Sequence, residues 1–208
     1  MYDQILFPVD SSEESNTILQ HVGQLAKWAD ASVHLLFVAD TARDSVTVVT
    51  DQVIDALVQE GEAIVETAAE TLSSTGVMYE TDVIQGNPAP TIVDYADRYG
   101  HDLVVMATHG RTGISRYLKG SVSEKVVRLS GVPVLTARMK ADEQLLFPYE
   151  DILVPTDGSQ TATSAAVHGI ELARSMDATV HVLSVVKDTT FGLNIGAPMT
   201  ETERNLAA

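Results

Sequence analysis

Tyr2-Asp3-Gln4-Ile5-Leu6-Phe7-Pro8-Val9-Asp10-Ser11-Ser12 reads as a buried strand running straight into a helix. The apolar run over 4–9 has the length of a strand, and Asp10-Ser11-Ser12 ends it with helix-cap residues. Ser11 with Glu14 three positions on makes a capping box. Ile18, Val22, Leu25 and Ala26 then share one helical face, and Asp30 closes the helix. A second apolar run over 32–38 follows. Strand, helix, strand demands a parallel pair joined by a right-handed crossover.

The opening stretch then returns. Tyr149-Glu150-Asp151-Ile152-Leu153-Val154-Pro155-Thr156-Asp157-Gly158-Ser159 repeats it at a shift of 147 positions. The alignment stays ungapped through His21 and His168, Asp30 and Asp177, His34 and His181, and Val38 and Val185. A repeat of this length is a domain duplication rather than a solenoid period. The two copies are unequal, because the first continues well past the repeated part. We expect a complete unit over 1–140, a linker over 141–148 and a partial second unit over 149–208, with the connection starting at Ala137. Two strands and one helix cannot bury both faces of a sheet. The second copy is therefore expected to lean on the first, to borrow from another chain, or to be a truncated remnant.

The rest of the first unit continues the alternation. Residues 50–74 carry Val53, Ile54, Leu57, Ile64, Val65, Ala68 and Leu72 at helical spacing, with Gly61 as that helix's weak point. Strands are expected over 78–84, 103–107 and 132–135, and helices after Gly86-Asn87-Pro88 and over 121–129. Five near-continuously apolar strands between helices fit a doubly wound, flavodoxin-like α/β fold with a five-stranded parallel sheet in the order 3-2-1-4-5. Pro133 cannot donate to a central ladder, which puts the fifth strand at an edge.

The 29 Asp and Glu outnumber the 13 Lys and Arg, for a formal charge of −16. Such a surface repels phosphate backbones and anionic lipid, which argues against nucleic acid and membrane as partners. It suits solubility in concentrated salt, and equally an ordinary acidic cytoplasmic protein. Cysteine is absent, so disulfides, thiol catalysis and thiolate metal sites are excluded. The first strand begins within four residues of Met1 without a charged-then-apolar leader, so a cytoplasmic location is the expectation.

Met106-Ala107-Thr108-His109-Gly110-Arg111-Thr112-Gly113-Ile114-Ser115-Arg116-Tyr117-Leu118-Lys119-Gly120-Ser121 is the stretch most suggestive of chemistry. It leaves a strand and opens a helix. Its glycines let main-chain N–H groups approach an anion, and Ser121 adds a hydroxyl at the positive end of a helix dipole. Five of the thirteen basic residues fall between Arg111 and Arg128, a local reversal of the global charge. Micromolar affinity needs about 8 kcal/mol. The dipole supplies roughly 0.3–1 kcal/mol, and each charged hydrogen bond about 1.5–3 kcal/mol. Several direct loop contacts are therefore required. On spacing alone, a surface loop with Ser121 as a plain helix cap fits equally well.

The stretch resembles the signature of the universal stress protein family, whose nucleotide-binding members carry Gly-x2-Gly-x9-Gly-Ser/Thr. Gly110, Gly120 and Ser121 match, and Ala107 replaces the first glycine. The resemblance extends to Pro8-Val9-Asp10, Leu36-Phe37-Val38 and Gly131-Val132-Pro133-Val134-Leu135. It implies an adenine nucleotide alpha hydrolase-like fold and a module that binds ATP, with Mg or Mn held through the phosphates. The phosphate-binding residues it implies are Ala107, His109, Gly110, Arg111, Gly113, Gly120, Ser121 and Val122. Pro8, Val9, Asp10 and Val38 would face the adenosine. It also implies a homodimer through the edge strand from Val132 to Thr136.

Bland roles compete with these. Asp10 would cap the first helix, Val38 is a core residue in any case, and His34 and His181 read as satisfied core histidines. Asp157 repeats Asp10 without a phosphate loop beside it. No nucleophile–base pair and no second carboxylate beside Asp10 is visible, so a regulatory module is expected rather than a fast enzyme, with slow hydrolysis left open. A family member that dimerises without binding nucleotide is the alternative. A phosphate-accepting receiver needs Asp and Lys where Ile84-Gln85-Gly86 and Leu135-Thr136-Ala137 stand. A flavodoxin would set Glu13-Glu14 against a flavin phosphate.

Overall fold

The computed structural model describes residues 1–40, 51–107, 122–137 and 145–185. The chain divides into two compact units, Met1–Pro148 and Tyr149–Ala208.

The first unit is built on β1 (Gln4–Pro8), β2 (Ser32–Ala39), β3 (Tyr79–Gln85), β4 (Leu103–Ala107) and β5 (Val134–Ala137). All pairings are parallel, in the order β3-β2-β1-β4-β5. The helices are α1 (Glu13–Ala29), α2 (Asp51–Ser73), α3 (Pro88–Arg98) and α4 (Val122–Leu129). This is the doubly wound sheet that the alternation of elements implied.

Both faces of the sheet are covered. Ile5 and Phe7 of β1 and Val33 and Leu35 of β2 are buried on the side of α1 and α2, with Ile18, Leu19, Val22 and Leu25 of α1. Leu6, Leu36, Val104 and Met106 pack on the other side with Ala89, Ile92, Tyr95 and Ala96 of α3 and Val126 of α4. Alternate residues of β1 thus face opposite layers, and each buried Leu, Ile or Phe contributes roughly 1.5–3 kcal/mol.

Four details depart from the sequence reading. The cap of α1 is Ser12, not Ser11: its side chain accepts from the Ser15 N–H. Gly61 is not a weak point of α2. A methyl there would lie 2.9 Å from both Phe37 Cε1 and Val83 Cγ1, so glycine is what lets the helix approach β2 and β3. β3 is not near-continuously apolar; Glu80, Thr81 and Asp82 are exposed, as an edge strand permits. β5 is the other edge, as expected, but it begins after Pro133, whose carbonyl accepts from the Val104 N–H before the strand proper starts. Asp30 does end α1, at φ 56°, with its N–H on the Ala26 carbonyl.

The second unit holds β6 (Asp151–Pro155), α5 (Gln160–Met176) and β7 (Thr179–Leu183). The strands pair in parallel from Asp151↔Thr179 to Pro155↔Leu183. Ser159 caps α5 through the Ala162 N–H, and Asp177 ends it at φ 56°. Both terminal devices of α1 recur at the 147-residue shift.

Candidate functional site

A doubly wound sheet has one place where the chain reverses direction across it, and here that place lies between β1 and β4. The β1 chain leaves through α1 toward one layer, while β4 lies between α3 and α4 of the other. At the carboxyl ends of such a pair the connections part and leave a crevice. Pro8, Val9 and Asp10 end β1 there, and Ala107 ends β4.

Asp10 is half-buried, and it does not itself cap α1. Its Oδ1 accepts the Ser12 N–H at 3.1 Å and the Ser12 hydroxyl at 2.5 Å. The Ser12 oxygen in turn accepts the Ser15 N–H at 3.2 Å. Asp10 thus steers the capping side chain and sets a negative charge at the positive end of the helix. Asp157 does the same for Ser159, whose N–H it accepts at 2.9 Å. The hydrogen bonds from Ser159 hold the Asp157 carboxyl below the usual carboxylate range. The turn is therefore a property of the Asp-x-Ser sequence and forms in both copies.

Val38 lies beyond the end of the β1–β2 ladder. That ladder closes at Pro8↔Leu36 with the Val9 N–H on the Leu36 carbonyl, whereas Val38 pairs outward with Ile84. The last turn of β2 toward the crevice is thus shared with β3 alone. Ala107 is paired in register with Ala137. Among the described residues only Asp30 and Asp177 are non-glycine residues at positive φ, so alanine at 107 carries no backbone strain. What it changes is the room beside the strand end. Val122 is the first residue of α4. His109, Gly110, Arg111, Gly113, Gly120 and Ser121 lie outside the described residues.

The second unit contains an open cleft of about 560 Å3 at the corresponding end of its two strands. Pro155, Thr156, Asp157, Ser159, Leu183 and Val185 line it, the residues at the 147-position shift from Pro8, Val9, Asp10, Ser12, Leu36 and Val38.

The two repeated histidines differ. The side chain of His34 is 13% exposed, with Nε2 3.1 Å from Asp82 Oδ2 and 2.8 Å from the Tyr95 hydroxyl. His181 is 56% exposed and pairs with Asp151 at 2.7 Å, so it is not the core histidine expected, because nothing among the described residues of its own unit covers that face. The sequence reading named Ser12 among the cap residues but put the cap at Ser11, and it passed over the partners of His34. Serine two residues after Asp10 was a usable signal; Asp82 and Tyr95 become neighbours of His34 only through the sheet register and α3.

Among the described residues no helix is long and apolar enough to cross a membrane, and no cluster of three or more His, Cys, Asp or Glu could hold a metal ion. The family model of the universal stress proteins matches residues 1–138 and 148–207. Universal stress protein MJ0531 of Methanocaldococcus jannaschii is 31% identical over 150 residues, 69% of this chain and 86% of that protein. A universal stress protein of Archaeoglobus fulgidus superposes over 91% of this chain and 68% of its own, at a TM-score of 0.74 and 24% identity. A universal stress protein crystallised in complex with cAMP superposes over 65% of this chain and 97% of its own, at a TM-score of 0.54 and 24% identity. With both segments matched by one family model, and with the sheet order described above, the chain belongs to the universal stress protein family.

Proposed function

We propose that the first unit binds ATP in the crevice between β1 and β4 and serves as a regulatory stress-response module rather than a fast enzyme. The observation that carries this reading is the overhang of β2: the β1 ladder stops at Leu36, two residues before Val38. A planar base laid over the end of β1 can meet the Val38 backbone, with Asp10 on the ribose side and Pro8 and Val9 beneath. Ala107, Val122 and the loop residues His109, Gly110, Arg111, Gly113, Gly120 and Ser121 would hold the phosphates, with Mg or Mn bound through them. The cAMP complex of a structural relative supports an adenine nucleotide as the ligand class.

Titration calorimetry with Mg-ATP, together with mass spectrometry of small molecules released from the purified protein, tests this reading. Wild type should bind in the micromolar range, and Asp10→Ala and Gly120→Val should each weaken binding at least tenfold. Unchanged binding in both variants rejects the site. A protein that arrives without nucleotide and gives no heat rejects the activity and leaves the second reading, a dimerisation module that binds no nucleotide. Ala107 favours that alternative, since its methyl group occupies space that a glycine leaves open.

Either reading includes a homodimer through the edge strand from Val132 to Thr136. Val127 and Leu129 of α4 are large apolar residues left exposed beside it. Light scattering at micromolar concentration should give twice the chain mass of 22.3 kDa. A monomeric mass sinks the assignment.

A further inference from the structure

Beneath α3, away from the crevice, two imidazoles lie face to edge. The ring centres of His34 and His101 are 5.3 Å apart, and each also contacts Tyr95, at 5.1 and 5.7 Å. His101 is 4% exposed, and its Nδ1 has no partner at hydrogen-bond distance. It follows the end of α3 and ties that end down through its own N–H on the Ala96 carbonyl, at 2.9 Å. The Tyr95 hydroxyl closes the group by donating to Asp82, and burial followed by that bond pushes its pKa far above the ordinary phenol value. A cavity of about 70 Å3 bordered by Ser32, His34, Glu80 and His101 adjoins the group.

The charged groups around the pair compensate one proton but not two. On β3, Asp82 lies 3.1 Å from His34 Nε2 and Glu80 lies 3.9 Å from Nδ1, so a single imidazolium at His34 has carboxylates on both sides. α3 and the residue that caps it contribute the phenols of Tyr95 and Tyr99. Near His101 the carboxylate is Asp102, already committed to the N–H groups of Asp3 and Gln4. A second proton on His101 would be buried beside the first. Burial, and then His34, hold the His101 pKa below its usual value, opposed only in part by the Ala96 carbonyl, Asp102 and the Tyr95 carbonyl. A base whose pKa is depressed on folding stabilises the native state above the unfolded value and loses that contribution as pH falls.

We propose that His34 and His101 form an acid-responsive latch that holds the end of α3 on β2 and β3 at neutral pH and releases it when the buried His101 takes up a proton beside His34. The device acts through packing of α3 and does not depend on whether nucleotide binds. It would give the module a direct readout of acidification, with the stabilisation lost as pH falls below the ordinary imidazole range.

Thermal unfolding of the full chain, followed through Trp28 and by circular dichroism between pH 7.5 and 5.5, tests it. The wild-type midpoint should fall by ~5 °C or more across this window. His101→Phe, which keeps an aromatic ring and removes the titration, should fall by less than half as much. His21→Phe separates the effect of the other buried histidine, whose pKa burial also lowers, and should flatten the slope less than His101→Phe does. Parallel pH profiles for wild type and His101→Phe overturn the proposal. If His101→Phe does not fold, amide exchange on the wild type decides. Protection in α3 should drop ~10-fold more than in α1 between pH 7.5 and 5.5 after correction for intrinsic rates. An equal drop in both helices rejects the latch.

Discussion

The two copies of the strand–helix–strand motif share their turn chemistry and differ in what covers them. Ser12 and Ser159 cap their helices through the same bond, Asp10 and Asp157 brace those caps, and Asp30 and Asp177 end both helices at φ 56°. Yet Leu6 and Leu36 are fully buried, whereas their counterparts Leu153 and Leu183 are 60% and 45% exposed. The first copy has α3, α4 and β4 packed around that face; among its described residues the second unit has only α5, which covers the other. Local structure is written into the motif, and burial is not. A βαβ unit acquires its capped helix and parallel register alone, but a two-sided core needs elements from further along the chain.

The sharpest way to break this comparison is to cut the same leucine from each copy. Leu6→Ala empties a core site and should cost about 2–5 kcal/mol. Leu153→Ala removes a largely exposed side chain and should stay within ~0.5 kcal/mol. Urea unfolding followed by Trp28 fluorescence for the first, and by amide exchange in α5 for the second, measures both. Equal losses would mean that the face of β6 is as buried as that of β1.

The helix glycines give a smaller contrast. Gly61→Ala forces a methyl onto two side chains, Phe37 and Val83, and should destabilise by ~1–3 kcal/mol. That outweighs the gain of ~1 kcal/mol from alanine's helix propensity. Gly169→Ala meets only Val154 Cγ2, at 2.9 Å, on a less enclosed strand pair. The same propensity gain offsets most of that contact, so the change should be near zero. A stabilised Gly61→Ala protein would show that α2 has room to move outward.

The smallest expected effect is at the repeated histidine of the second copy. His181 and Asp151 form an exposed pair, and His181→Ala should shift the unfolding midpoint by less than the equivalent of ~0.5 kcal/mol. A larger loss would place that pair in a buried contact and narrow the difference from His34.

Much of the fold was legible because its signals are local. The run over 4–9 followed by Asp10-Ser11-Ser12 announces a buried strand and a capped helix, and Pro133 places β5 at an edge, through bonds made within a few residues. The errors came where a distant neighbour decides. Gly61 reads as a defect until Phe37 and Val83 are seen beneath it. Glu80 and Asp82 break the apolar pattern of β3 because that strand has a partner on one side only. Of the candidate site, Pro8, Val9, Asp10 and Val38 were named through the family resemblance, and they lie at or beside the ends of β1 and β2. The linkage of Asp10 to Ser12 needed the turn geometry.

By itself the sequence determined the duplication, the alternation of strands and helices, the parallel sheet and the glycine loop's resemblance to a known family. These depend on periodicity, caps and spacing, which act over a few residues and survive in any context. Only the tertiary structure decided which copy has a two-sided core, why α2 requires glycine, and how His34, His101, Asp82 and Tyr95 meet. Those contacts join residues on β2, β3 and α3 and ahead of β4, and register and layer packing bring them together at separations no sequence period encodes.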